Sequence, residues 1–458
     1  MTRHAMEDRI EPTTRRRLAL ACLAAAWMAA GCSLDDLLGT DEIPPDVSDP
    51  GFTETAEGAV AVYHGTLAAF RNAFNVAVRD GGLLTDELGA AYNNEVYRAI
   101  DRRDFSDETI NTGTSYSLLH RVRGQASLAI GLLARYAPGR ETLIGHAYAL
   151  QGYAEIFLAD VYCSGIPLST LDFDGDFTYR PGSTTEEVYE HAVALLDSAV
   201  VFAADSARIV HLARVGRARA LLALGRFGEA AATVSEVPDD FVYAVSYAPE
   251  FAFSNFARLE TSDRDHWDYT VLDREGVNGL DYVSSGDPRT VVRSLPKNST
   301  RGVPVHFPLK YAEDGSSPIV LASGIEARLI EAEAALREGD VAKWLGILNH
   351  LRRTAWTSIE PAVTGPLPDL ADPGSESARV DLLFRERAFW LFLTGQRQGD
   401  LRRLIRHYGR TPGQIYPAGA YQDASTPGLS YGADVDIPVP PSESAVNPHY
   451  NGCIARGA

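Results

Sequence analysis

Between Arg214 and Glu236 the chain reads RVGRARALLALGRFGEAAATVSE, and few folds accommodate such a stretch. Small residues (Gly216, Ala220, Ala223, Gly225, Ala230) recur where two helices would touch. Leu224-Gly225-Arg226-Phe227 breaks the helical period, and a second helix follows at once. One hairpin of this kind cannot bury its apolar face alone; it needs stacked neighbours. The unit matches a tetratricopeptide-type repeat. The expectation is therefore a mainly α fold of tetratricopeptide-like helical-pair repeats, with a loop-rich, aromatic insertion.

The remaining periodicity agrees. Val60, Tyr63, Leu67, Phe70 and Phe74 fall at spacings of three and four, which predicts a helix over Thr53 to Asn75 with one buried face. Further helices are expected over Tyr116 to Tyr136 and Leu143 to Tyr162. Ser183 and Glu186 offer a capping box for a helix running to about Ala204. From Pro238 to Pro318 the helical period disappears, and aromatics, Asp, Gly and Pro dominate. So long a stretch without helices, between two repeat segments, reads as a functional insertion. Helical patterns resume over Ile319 to Glu338, Val341 to Trp356 and Ala378 to Gly395, with a short basic helix to about His407. The tail from Thr411 has no period.

The ends carry different information. Arg15 to Arg17 precede an apolar run, Leu18 to Ala30, that is shorter than the ~20 residues a spanning helix needs. The run closes on Ala29-Ala30-Gly31-Cys32, the pattern of a bacterial lipobox, with Cys32 as the lipidated residue. Residues 1–31 then form a lipoprotein signal peptide and 32–50 an acidic, Pro-bearing tether. The mature body divides into a helical repeat region (51–237), the insertion (238–318) and a C-terminal region (319–458). An exported protein meets an oxidising compartment. There Cys163 and Cys453 can form one disulfide or remain two thiols.

Several chemistries are excluded. The formal charge of −19 argues against nucleic acid as a partner. The sequence has no HExxH, CxxC or Gly-rich phosphate loop, so neither an enzyme nor a cofactor is expected. Asp172, Asp174 and Asp176 resemble the start of a calcium loop, but the twelfth position is Ser183 and not Glu. No metal site is expected.

Five patches, taken in order, resemble the RagB/SusD family of nutrient-uptake lipoproteins. They are Thr184-Thr185-Glu186-Glu187-Val188-Tyr189; Asp287-Pro288-Arg289; Lys310-Tyr311 through Glu326 to Ala334, with Asn349, Arg352 and Ala355; Glu386-Arg387 with Gly395, Arg397 and Asp400 to Arg403; and Pro438-Val439-Pro440 with Glu443 and Asn447-Pro448. Trp390 and Thr394 stand where the family usually has Glu. The resemblance implies a surface-exposed lipoprotein of the outer membrane that binds an oligosaccharide or peptide and caps a SusC-like TonB-dependent transporter. It also implies that the motifs build scaffold, with Glu386, Arg397 and Asp400 locking the last helices to the repeat body through charge-assisted hydrogen bonds. Two sets carry the residue types that stack on sugar rings and bind hydroxyls: Tyr92, Asn93, Asn94 and Tyr97, and, in the insertion, Trp267, Asp268, Tyr269 and Tyr282. A tetratricopeptide lipoprotein scaffolding envelope assembly is the rival reading; it needs no aromatic insertion.

Overall fold

Gly216 lies where the second helix of a pair must come closest. A Cβ there would sit 2.8 Å from the ring of Tyr153, whose hydroxyl donates to the Leu212 carbonyl at 2.9 Å. In this computed structural model, which describes residues 53–106, 110–171, 177–259, 267–296, 299–423 and 425–457, that approach is repeated along a stack. Helices α1 (Ala56–Leu84), α2 (Glu95–Arg102), α3 (Thr114–Tyr136), α4 (Glu141–Val161), α5 (Thr185–Phe202), α6 (Ala207–Ala223) and α7 (Phe227–Val234) precede the insertion. Within that set α1 packs on α3, α3 on α4, α4 on α5, α5 on α6 and α6 on α7. Gly225, at φ +75°, makes the turn between α6 and α7. Residues Thr55–Ala458 form one compact unit, so the insertion and the C-terminal region share it with the repeats. Cys32, the tether and Asp172 to Asp176 lie outside the described residues.

The stack resumes beyond the insertion. Helix α8 (Gly324–Arg337) packs on α7 and pairs with α9 (Val341–Thr354). Helices α10 (Glu376–Trp390) and α11 (Arg397–Tyr408) close it, with short α12 (Pro412–Ile415) and α13 (Pro441–Val446) in the tail. The strands are all short and paired two by two: β1 (Gly89–Ala90) with β7 (Tyr269–Thr270), β2 (Ile166–Pro167) with β5 (Gly182–Ser183), β3 (Thr170–Leu171) with β4 (Phe177–Thr178), β6 (Val242–Val245) with β10 (Ile319–Ser323), and β8 (Val292–Ser294) with β9 (His306–Pro308).

Several boundaries differ from the sequence reading. Helix α10 ends at Trp390 and not at Gly395. Helix α1 continues past Asn75 to Leu84, because Val76, Ala77, Val78, Leu83 and Leu84 are buried on more than one face and lose the simple period. Helix α2, unanticipated, is started by Asn94. The capping box falls one residue later than Ser183 and Glu186: Thr184 accepts from Glu187 N, and Glu187 answers to Thr184 N at 2.7 Å. Ser183 is held in β5 opposite Ile166. The segment from Ile319 begins as a strand, and Ser323 then caps α8, accepting from Glu326 N at 3.2 Å.

Buried guanidinium–carboxylate pairs fix the last helices to the stack. Arg387 on α10 donates twice to Asp400 on α11, at 2.8 and 2.9 Å, and Arg403 joins Asp400 at 2.9 Å to Glu333 on α8 at 2.9 and 3.1 Å. Arg397 grips Asp86, just beyond α1, at 2.7 and 2.9 Å. Arg289 and Arg352 both hold Glu386. Arg402 donates to the Ala159, Asp160 and Tyr162 carbonyls at 2.7 to 3.1 Å, satisfying the C-terminal end of α4. Directly after that end, Cys163 is bonded to Cys453 and draws in the tail.

Breaking such a pair from one side leaves buried charge uncompensated, at a cost of about 3–5 kcal/mol. Asp400→Asn is expected to lower the unfolding free energy obtained from urea titration by an amount of that order, and the midpoint with it. Asp369→Asn, which removes the exposed partner of Arg353, is expected to leave the midpoint unchanged.

Candidate ligand-binding site

The two aromatic sets, far apart in sequence, meet through one strand pair. Gly89 lies opposite Thr270 and Ala90 opposite Tyr269, and Ala91 N donates to the Asp268 carbonyl at 2.8 Å. Asn94 uses its side chain to cap α2, accepting from Val96 N at 3.1 Å and Tyr97 N at 3.2 Å. This directs Tyr97 toward Tyr269, with ring centroids 5.2 Å apart. Arg79, mostly buried near the C-terminal end of α1, lies 4.8 Å over the Tyr97 ring and donates to its hydroxyl at 3.3 Å.

The residues divide by burial. Trp267 and Tyr269 are 1% and 6% exposed. Trp267 packs edge-on to Phe307, and its indole N–H donates to the Phe256 carbonyl at 3.1 Å. These two rings are the floor of the site and offer no face to a ligand in this conformation. Tyr282, 1% exposed, is not in the site; it lies against Phe389 and Phe392, 5.3 and 5.0 Å between centroids. What remains at the surface is a compact set: Asn93 exposed, and Tyr92, Asn94, Tyr97 and Asp268 partly so. Two phenol rings flanked by two amides and a carboxylate present apolar faces beside hydroxyl-binding groups.

Residues not singled out from sequence shape its rim. Arg98 on α2 reaches Glu95 at 2.9 Å, Asp423 at 3.1 Å and Thr426 at 2.8 Å, fastening the tail loop beside the patch. Burial alone would raise the Asp423 carboxyl, but hydrogen bonds from Ser425 and Thr426 and the charge of Arg301 outweigh it and hold the group down at about 2. Arg301 is buried, donates to the Ala90 carbonyl and to Asp101 at 3.0 Å, and lies 4.4 Å over Tyr421. A Pro/Gly/Tyr-rich tail without periodicity gave no signal for this.

No protein-family model and no curated protein sequence matches the chain. Solved structures supply the likeness. A SusD superfamily protein from Bacteroides vulgatus superposes at a TM-score of 0.64 and 14% identity, over 88% of this chain and 99% of its own. NanU of B. fragilis gives 0.60 at 14% identity, over 91% and 100%. A SusD-like carbohydrate binding protein from Bacteroides vulgatus gives 0.58 at 15%, over 86% and 97%. The chain has the SusD fold. At this identity the SusD likeness fixes the course of the backbone, and ligand chemistry must be read from the chain's own side chains.

Beneath the patch, the SusD frame of this chain encloses two acids that touch. Asp101 Oδ2 accepts from Ala90 N at 2.8 Å, from Arg301 and from Tyr421 Oη at 2.7 Å. Glu275 Oε1 accepts from Tyr431 Oη at 2.8 Å. The other oxygens, Asp101 Oδ1 and Glu275 Oε2, have no hydrogen-bond partner among the described residues. Burial, and then the charge and hydrogen bond of Asp101, push Glu275 well above its ordinary 4.5.

The consequence for stability has a definite sign. Because the folded state raises this pKa, its contribution is intact below about 4.5 and is lost as pH rises toward the folded value, at up to ~1.4 kcal/mol per pH unit. Glu87, pushed up to about 8 chiefly by burial, adds a second such term. Glu275→Gln keeps a donor toward Asp101 and an acceptor for Tyr431. Urea titrations between pH 6 and 9 are expected to show a shallower decline for this variant than for the wild type.

Proposed function

We propose that this protein is a SusD-like, non-enzymatic glycan-binding lipoprotein, anchored through Cys32 to the outer membrane and exposed at the cell surface, where it caps a SusC-like TonB-dependent transporter. The observation that carries the binding part is the patch at β1, α2 and β7. Tyr92 and Tyr97 offer partly exposed rings, and Asn93, Asn94 and Asp268 surround them with groups that donate to and accept from hydroxyls. The floor beneath is rigid: Trp267 and Tyr269 are packed, Asn94 is a helix cap, and Arg79 holds Tyr97 from one side. A preorganised surface of this kind loses little entropy when a sugar docks.

Partner and location rest on other features. The SusD fold runs over nearly the whole described chain, and one of its solved relatives is a carbohydrate binding protein. The basic, apolar and small-residue segments before Cys32 support lipidation. The Cys163–Cys453 disulfide suits a protein that has left the reducing cytoplasm. A bare envelope scaffold has no use for the ring-and-amide patch.

Glycan-array screening of the folded protein is expected to return one oligosaccharide class. Affinity for that glycan should fall ~10-fold or more in Tyr92→Ala and in Tyr97→Ala, the range for well-packed aromatic anchors, with thermal unfolding little changed in the first. Binding untouched by both variants, or binding to peptides only, would overturn the glycan reading. Affinity purification from solubilised outer membrane is expected to recover a stoichiometric barrel transporter; recovery of envelope-assembly proteins without one would overturn the lid reading.

A further inference from the structure

Two phenylalanines stand out from the loop-rich insertion: Phe251 is 73% exposed and Phe253 is 47% exposed. Apolar side chains scattered singly over a surface are ordinary. Two within three residues, on a turn that is tied down, are not. The turn is a short 3-10 helix, Phe251–Phe253. Phe253 N donates to the Glu250 carbonyl at 2.8 Å, and Ala248 N donates to the Phe253 carbonyl at 3.0 Å. Arg258 fastens it further, donating to the Pro249 carbonyl and, at 3.0 Å, to the Asp314 carbonyl. A guanidinium covers one face of each ring: Arg71 lies 4.9 Å over Phe253, and Arg258 lies 6.0 Å over Phe251. The exposed area is on the opposite faces, which are flat, apolar and held in place.

Helix α1 relates this turn to the patch at β1, α2 and β7. Arg71, Asn75 and Arg79 occupy one i, i+4 row of α1. Arg71 covers Phe253, Asn75 Oδ1 accepts from Phe256 N at 2.7 Å, and Arg79 covers Tyr97. Phe256 in turn holds Trp267 through its carbonyl, and Trp267 packs edge-on to Tyr269, the ring against Tyr97. The row thus carries an aromatic ring at each end, two helical turns or about 12 Å apart. Asn72 is exposed and Asn75 partly so, which places amide groups along the path between them.

We propose that Phe251 and Phe253 form a distal subsite of the glycan patch, so that the protein takes a linear oligosaccharide longer than a disaccharide, laid along this row of α1. One end of the chain stacks at Tyr92 and Tyr97, and a later sugar stacks on the open faces of Phe251 and Phe253. Two linked pyranose rings are too short to reach both. The inference rests on the glycan reading of the patch and adds to it the length of the ligand. Contact at the distal end is to ring faces. The Ala248, Phe253 and Asn255 amides there are already bonded, so affinity reports the contact and amide exchange does not.

The probes are linear fragments of the glycan returned by array screening, graded from its disaccharide to its hexasaccharide and titrated calorimetrically into the full mature chain. The hexasaccharide is expected to bind ~10-fold or more tightly than the disaccharide, the range for aromatic anchors. The double variant Phe251→Ala/Phe253→Ala should remove that gain and leave the disaccharide unchanged, while Tyr97→Ala weakens both. Both rings stand at the surface, so the fold is kept, and Phe251→Tyr/Phe253→Tyr, which retains the ring faces, should retain the gain. Equal affinity at every length would overturn the distal subsite and leave the patch standing. So would a hexasaccharide bound equally by wild type and the double alanine variant while Tyr97→Ala still weakens it. A double alanine variant that keeps hexasaccharide affinity and loses a co-purifying barrel transporter would also overturn it, placing the two rings at a protein interface. Fragments that fail to bind, or that bind Tyr97→Ala as tightly as wild type, would overturn the patch and the subsite together.

Discussion

Charge taken out of water and matched by geometry is what the rest of this structure depends on. Asp86, Glu326, Glu333, Glu386 and Asp400 are all essentially buried, and each faces at least one guanidinium within hydrogen-bonding distance. Such pairs contribute little net stability compared with well-packed apolar residues, because desolvation cancels most of the attraction. Their effect is on specificity: a planar, five-donor guanidinium accepts few misplacements of its partner. A helical stack held by apolar ridges alone can slide, whereas one in which Arg403 must meet both Glu333 and Asp400 has one arrangement.

The same pairs position the surface proposed to bind glycan. Arg397 holds Asp86, and only a short loop separates Asp86 from β1. Strand β1 is fixed on its other side by Arg301, which bonds the Ala90 carbonyl and Asp101 together. Asp101, which accepts from Ala90 N and Tyr421, and Glu275, which accepts from Tyr431, close the frame below. Tyr92 and Tyr97 are therefore displayed from a short loop and the first turn of α2, a segment tied at both ends.

Periodic features were readable in the sequence and pairwise ones were not. The hairpin at Gly225 and the long helices follow from spacing and residue type, and the scaffold role of Glu386, Arg397 and Asp400 is implied by the family resemblance. The meeting of Cys163 with Cys453 is one of two options that an oxidising compartment leaves open. The slip of one residue at the capping box arose because Ser183–Glu186 and Thr184–Glu187 have the same spacing, and only the strand opposite Ile166 decides between them. Trp267 and Tyr269 read as ligand rings because an aromatic in an aperiodic loop carries no sign of which way it faces. Asn93 and Asn94 looked equivalent, yet one is exposed and the other caps α2. The β6–β10 pairing joins the start of the insertion to the strand just beyond its end, a register that no local pattern encodes.

Hydrogen–deuterium exchange on the full mature chain, with and without the glycan returned by array screening, tests the central claim most directly. The account predicts new protection confined to residues 91–98 and 267–270, with α8, α10 and α11 slow to exchange in both states. Protection that instead spreads through the C-terminal helices, or that is absent from 91–98, would contradict it: the ligand would then bind elsewhere, or the ion-paired frame would be rearranging to receive it.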